Sequence, residues 1–259
     1  MEKKRGIDSF TLHILAMLFM LCDHLWATLF PAQEWMTCVG RLAFPIFAFM
    51  IAEGCYYTSN VKKYMLRLFL FAIISEIPFN LIMGSSVFYP FHQNVLWTFL
   101  LGVLSIQIIE KAKKKQKKWI SFFVVCLVLL MDFLLGTITM VDYNAAGILT
   151  VLLFYFFRKK TWISFAAQLV GLYYLNVVML GNLYYPVTIL GHHFEIAQQS
   201  FALLALIPIW LYHGEQGYHN KWFKYFCYAF YPVHLLILFV IFFNLTFLHN
   251  RPHCGFCIF

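Results

Sequence analysis

The sequence predicts an all-α, polytopic membrane protein, a helical bundle of about nine transmembrane helices with a cytoplasmic N-terminus. Three observations carry that expectation. Of the 259 residues, 62% are hydrophobic and only 12% are charged, where ordinary soluble domains are roughly 25% charged. Apolar runs long enough, or nearly long enough, to cross a bilayer recur along the whole chain. The basic residues fall in short clusters between those runs, as topology determinants do. Those clusters account for the net charge of +8. Nucleic acid is therefore excluded as a partner, and the lipid bilayer is the medium this surface meets.

The first run, 10–30, follows Lys3, Lys4 and Arg5 and continues without a small-residue cleavage site, so it reads as a retained span. Further runs lie at 38–57, 64–83, 94–110, 119–136, 143–157, 161–181, 197–212 and 223–247. The runs 94–110, 143–157 and 197–212 are short for a crossing, so eight to ten spans are compatible with the pattern. Each must be helical, because the hydrocarbon core offers the backbone no water to bond.

The basic clusters test that count independently. Lys62, Lys63 and Arg67 follow the second run, "EKAKKKQKKW" the fourth, Arg158, Lys159 and Lys160 the sixth, and Lys221 and Lys224 the eighth. With nine spans, 17 of the 19 Lys and Arg residues share one side, and only Arg41 and Arg251 fall on the other. The positive-inside rule makes the crowded side cytoplasmic and implies a multi-pass protein of the plasma membrane. Residues 1–247 read as one domain, followed by a short external tail, 248–259. The longest connection is about 15 residues, so any chemistry belongs to the bundle or its mouths.

Several ionisable residues lie inside the runs. His13 sits near the cytoplasmic end of the first span, with Asp23 and His24 in its outer half. Arg41 opens the second span from outside and Glu53 closes it; Glu76 lies mid-span; Asp132 and Asp142 lie towards the outside; His234 lies within the last span. Each costs about 2.5–3.5 kcal/mol at a bilayer centre, so their number points to a polar interior. The alternative for each is a structural ion pair or interhelical hydrogen bond. His13 and His24 are 11 residues apart, close to three helical turns, which places them on one face about 16 Å apart. Asp23 points about 100° away and so reads as the partner of Arg41 or of another helix.

A histidine in a polar site suits the removal of a proton from an amine or hydroxyl attacking a carbonyl, and it can also carry an acyl group. The basic mouth offers phosphates a place, although topology alone also explains the lysines. Cys22, Cys38, Cys55, Cys126 and Cys227 read as small apolar packing residues. Cys254 and Cys257 in "HCGFC" form a lone C-x-x-C pair, read as a tail feature or local disulfide; no metal is expected.

The segments "HILAMLFMLCDHLWATLFP", "GRLAFPIFAFMIAEGCYYTSNVKKYMLRLFLFAIISEIPFNL", "NVLWTFLLGVLSI", "DYNAAGILTVLLFYFFR" and "ALLALIPIWLYHGEQG" followed by "KYFCYAFYPVHLLIL" resemble, in order, the TraX family. The resemblance covers nearly the whole chain. It implies an association with N-terminal acetylation of pilin and, more widely, with transmembrane acyltransferases that take an acyl group from cytoplasmic acyl-CoA to an acceptor at the outer face. It thus implies acetyl-CoA as donor and an amine or hydroxyl acceptor of peptide, sugar or small-molecule type. Candidate catalytic residues are His24, Asp23, Arg41, Glu53, Glu76, His234 and Asp142. In that wider class a basic residue stands eleven positions before the histidine. His13 occupies that position here, and because a neutral imidazole does not replace a permanent cation, Lys62, Lys63 and Arg67 join it as candidate CoA contacts.

A competing expectation is a proton-coupled permease in which Glu53, Glu76, Asp132 and His24 form a relay. Such folds are commonly built from internal repeats, and the sequence shows none. A weaker alternative is a scaffold whose polar residues only hold helices together.

Overall fold

The computed structural model describes residues 6–189 and 192–248. Lys3, Lys4, Arg5, Arg251, the Cys254–Cys257 pair and the tail beyond position 248 lie outside the described residues. The chain is built of helices. α1 spans Ser9–Thr28, and Asp8 caps it by accepting the Thr11 backbone N–H at 2.8 Å. α2 (Glu34–Gly40) and α3 (Ala43–Tyr57) form one interrupted path across the bundle. α4 (Val61–Met83) is capped by Asn60, and α5 (Val95–Lys115) by Asn94. Then come α6 (Lys118–Ile138), α7 (Asn144–Phe156) and α8 (Trp162–Leu172), the last continuing as a π-helical turn, Tyr173–Val178. A 3-10 segment, Gln198–Ala205, runs into α9 (Leu206–Leu211), and α10 covers Lys221–Leu248.

Among the described residues six helical segments are long and apolar enough to cross a membrane: α1, Glu34–Tyr57, α4, α5, α6 and α10. Three shorter apolar helices, Asn144–Phe156, Trp162–Val178 and Gln198–Leu211, take the places of the remaining runs. The run 94–110 reads as short from hydropathy but grows into a full-length helix, because α5 continues through the lysines of "EKAKKK", which are good helix formers. Conversely the run 161–181 is interrupted, its last turn being π-helical. The connection between the apolar runs 161–181 and 197–212 contains an antiparallel hairpin. Its strands are β1 (Tyr184–Ile189) and β2 (His192–Ala197), with Tyr184 opposite Ala197. Two aromatic and three β-branched residues make up all of β1 but Pro186, and both types suit a pleated surface.

α3 and α7 occupy the middle of the bundle. Ile46, Ala48 and Phe49 of α3 meet Val151, Leu152 and Phe154 of α7, all essentially buried, with Leu12 and Ala16 of α1 in the same cluster. α6 is peripheral: Trp119, Phe122, Phe123, Leu127, Leu130 and Ile138 are exposed, forming an apolar face that lipid would cover. α6 reaches α7 closely because Gly136 has no side chain; a Cβ there would stand 2.6 Å from the Ala145 Cα. The protein is accordingly a membrane protein with several apolar helices.

Two backbone clasps close the bundle at opposite ends. At one, the Ile7 N–H donates to the Leu211 carbonyl at 2.9 Å and the His213 N–H to the Ile7 carbonyl at 3.0 Å. At the other, the Gln93 N–H donates to the Met140 carbonyl at 2.9 Å and the Asp142 N–H to the Gln93 carbonyl at 2.8 Å. The second clasp brings the segment before α5 against the segment before α7, and thereby sets His92 beside Asp142.

Asn94 is the hinge pin of that clasp. It is fully buried, accepts the Leu96 N–H at 3.1 Å, and donates to the Ala72 carbonyl at 2.9 Å and to Glu76. Asn94→Ala removes a helix cap together with the buried bonds that tie the start of α5 to the Ala72 carbonyl and Glu76 of α4. The expected loss is about 2–3 kcal/mol, measured as earlier unfolding of the detergent-solubilised protein.

Candidate active site

α1 presents Asp23 and His24 to different neighbours, as the 100° step between consecutive helical residues requires. Asp23 faces α2. Its Oδ1 accepts Arg41 Nη2 at 2.8 Å and the Thr37 hydroxyl at 2.8 Å, and its Oδ2 accepts Arg41 Nη2 at 3.0 Å. The Thr37 hydroxyl in turn accepts from Arg41 Nη2 at 3.0 Å and from Gln198 Nε2 at 3.1 Å, and Gln198 also donates to the Tyr185 hydroxyl at 3.0 Å. One carboxylate thus ties α1, α2, the 3-10 segment and the hairpin together. Gly40 makes the approach possible, since a Cβ there would lie 2.6 Å from Asp23 Oδ1. The Arg41 Nε–H is buried without an acceptor among the described residues.

His24 faces α10. Its Nδ1 lies 2.6 Å from His234 Nε2, the two rings being nearly parallel at 12°, and His234 Nδ1 lies 2.7 Å from the Phe230 carbonyl. A carbonyl can only accept, so His234 Nδ1 carries a proton. In neutral His234 the Nε2 is therefore a lone pair, and His24 Nδ1 must donate to it. The network assigns the remaining lone pair to His24 Nε2, leaving one directed base at the end of a two-histidine chain.

Around this pair stand the remaining polar groups of the same end. Asp142 Oδ1 lies 3.3 Å from His92 Nε2, and the Asp142 carbonyl accepts the Thr98 hydroxyl at 2.6 Å. The turn that aims Asp142 contains two consecutive left-handed residues, Tyr143 with φ 61° and Asn144 with φ 45°. This strain is held by the stacking of Tyr143 on Phe44 at 3.8 Å between centroids. Glu76 accepts the Trp97 indole N–H at 2.7 Å as well as Asn94. Tyr231 connects the groups, its ring 6.3 Å from that of His24 and its hydroxyl within electrostatic reach of Asp142 and Glu76.

The sequence candidates therefore divide. Asp23, His24, Arg41, Glu76, Asp142 and His234 gather at the end closed by the Gln93 clasp. Glu53 does not join them: it is bonded by Arg158 at the opposite end, through Nε and through Nη2 at 3.3 Å, with the guanidinium 3.5 Å from the Tyr56 ring centroid. α3 runs the full depth of the bundle, so a residue near its C-terminus is a helix length away from Arg41. Asp132 is separate again, accepting the Ser105 hydroxyl at 2.7 Å. His13 Nδ1 bonds the Ser9 carbonyl at 2.7 Å, Lys62 and Lys63 are exposed, and Arg67 is half-buried between α4 and α10. Sequence reasoning missed Thr37, Gln198, His92, Asn94 and Arg158. Of these only Asn94 carried a local signal, a cap residue directly before an apolar run.

Two outcomes follow from this geometry. Gly40→Val forces α2 away from Asp23 and is expected to destabilise the protein by about 3 kcal/mol or more, the scale of breaking a buried pair, read as a lowered unfolding temperature. His92 lies outside the helices. Its burial opposes the imidazolium, but the hydrogen bond and charge of Asp142 outweigh it and raise its pKa above the ordinary 6.5. The stabilisation from this contact is complete below that value and declines as pH rises through the raised one. His92→Gln should flatten the pH dependence of the unfolding temperature across that window.

The TraX protein family matches residues 9–242. A probable fimbrial assembly protein, FimC of serogroup H1, from Dichelobacter nodosus is 25% identical over 250 residues, covering 92% of this chain and 97% of that protein. No solved structure matches the chain significantly. With a match that spans the helices of both histidines, from α1 to α10, the chain belongs to the TraX family.

Proposed function

We propose that this protein is an acetyltransferase of the plasma membrane. It moves an acetyl group from cytoplasmic acetyl-CoA to an amine or hydroxyl at or near the outer face. The observation that carries the reading is the proton arrangement of the histidine pair. The Phe230 carbonyl fixes His234, His234 fixes His24, and His24 Nε2 is left as a lone pair beside Arg41 and Asp142. As the acceptor attacks the thioester carbonyl, its proton passes to His24 Nε2. The carbon–sulfur bond then breaks and the CoA sulfur leaves, taking a proton back. His234 positions His24, as an orienting partner does in a catalytic triad. The buried, unpartnered Arg41 Nε–H is a donor suited to the oxygen on which negative charge develops. Asp23 holds Arg41 in place.

The nine apolar segments would then cross with the N-terminus in the cytoplasm. The lysine-rich end, with Lys62, Lys63, Arg67 and His13, would receive CoA, and the His24 end would receive the acceptor. The fimbrial assembly role in the name of the similar protein brings an amine on an exported subunit within the acceptor class. A proton relay is less well supported. Glu53, Glu76, Asp132 and His24, the groups it would link, hold different partners: Arg158, Asn94 with Trp97, Ser105 and His234.

With labelled acetyl-CoA and membranes from an expressing strain, His24→Ala is expected to lower acetyl transfer at least about 100-fold while the purified protein unfolds normally. His234→Ala should give a smaller loss. Undiminished transfer by His24→Ala would overturn the assignment. The orientation is checked by cysteine labelling: residues placed at 116 and 159 should be protected from a membrane-impermeant maleimide in intact cells, and one at 87 should react.

A further inference from the structure

α4 and α10 lie side by side and run parallel. Phe71 of α4 stacks on Tyr228 of α10 with centroids 5.0 Å apart and planes at 20°. One turn earlier on each helix stand Arg67 and Lys224, close enough to act on each other as like charges. Neither is in an ion pair among the described residues. Arg67 lies 5.8 Å from the centroid of the Tyr64 ring and against the Tyr228 hydroxyl, and its Nε–H is buried without a partner. Both cations are half-buried, unlike the solvated Lys62 and Lys63 nearby in sequence. Topology alone asks only for positive charge on this side and gives no reason to withdraw two such charges from water together. Two like charges brought together away from water repel, and an anion between them removes the penalty.

We propose that Arg67 and Lys224 form a binding site for a phosphate ester at the mouth between α4 and α10. The guanidinium presents a planar fork to two phosphate oxygens and the ammonium a point charge to the same group. The Tyr228 hydroxyl adjoins them as a further donor. Two molecules carry that chemistry here. One is CoA, in which case the site deepens the acetyl-CoA reading and rests on it. The other is the headgroup of an anionic lipid, in which case it stands without that reading.

The test compares the full-length protein with Arg67→Ala, Lys224→Ala and the double variant. Lys117→Ala, an exposed lysine elsewhere at the same end, serves as the control. CoA binding is measured by calorimetry in nanodiscs of phosphatidylcholine, and retained phosphatidylglycerol by native mass spectrometry after reconstitution in a mixed bilayer. If CoA is the ligand, each single variant weakens its binding about tenfold or more, the control does not, and the Arg67→Lys, Lys224→Arg exchange restores most of it. If a lipid headgroup is the ligand, CoA binding is unchanged and the double variant loses the retained phosphatidylglycerol. Should the alanine variants run as aggregates, Arg67→Gln reads the same losses with less disturbance to packing. A folded double variant that keeps both CoA affinity and lipid retention overturns the site. That result leaves the histidine chemistry untouched, since it is judged separately by His24→Ala.

Discussion

The Asp23–Arg41 pair is the contact on which the His24 end of the bundle depends. Both side chains are largely withdrawn from solvent, at 17% and 13% exposure, where an unpaired charge has no water to turn to. Neither can be left without the other; breaking such a pair by removing one partner costs about 3–5 kcal/mol. Geometry makes the pair an organiser as well. Arg41 stands at the interruption between α2 and α3, and Thr37, one turn earlier, shares its bonds and passes them to Gln198 and Tyr185. A carboxylate on the first helix therefore fixes the interrupted second path, the 3-10 segment and the hairpin in one register. Once Asp23 is committed to α2, the helical step turns His24 towards α10.

His24 then meets His234, which the Phe230 carbonyl has already oriented. The Phe230 carbonyl can only accept, and that one restriction sets the sense of both bonds and leaves a single tautomer for each neutral ring. The other polar groups of this end hold partners of their own, Glu76 with Asn94 and Trp97 and Asp142 with His92, so the directionality persists along the chain of bonds. The Gln93–Asp142 clasp and the strained Tyr143–Asn144 turn add a carboxylate beside the pair, and Glu76 is held a short way off by Asn94 and Trp97. The opposite end has different chemistry. There Arg158 is locked on Glu53 with its guanidinium over the Tyr56 ring, and Lys160 is bonded to the backbone carbonyls of Trp210 and Tyr212. Arg67 and Lys224 have no ion-pair partner among the described residues. α1 links the ends, His13 at one and His24 at the other.

Much of this was legible before any coordinates. Hydropathy located every helical segment, because in a bilayer an apolar run of sufficient length has only one way to satisfy its backbone. Spacing within α1 separated Asp23 from His24, and the structure bears that out with Arg41 and His234 as their respective partners. The misses have physical causes. Hydropathy cannot see that α5 runs on through lysines, because helix propensity and polarity are independent there. It gives no sign of the hairpin between the runs 161–181 and 197–212, because strand pairing is decided by a partner, not by the run itself. Glu53 and Glu76 look alike as lone carboxylates in apolar runs, yet they serve opposite ends of the molecule.

The sequence by itself determined that this is a helical membrane protein, where its apolar segments lie, and which face of α1 each polar residue occupies. These follow from periodicity and transfer energies, which are local properties of the chain. Only the tertiary structure decided that His234 rather than Asp23 completes His24, that Thr37 and Gln198 complete Asp23, and that Glu53 belongs with Arg158. Those pairings join residues as many as 210 positions apart. A hydrogen bond acts over about 3 Å, so no spacing rule along the chain can reveal which distant helix will supply the partner.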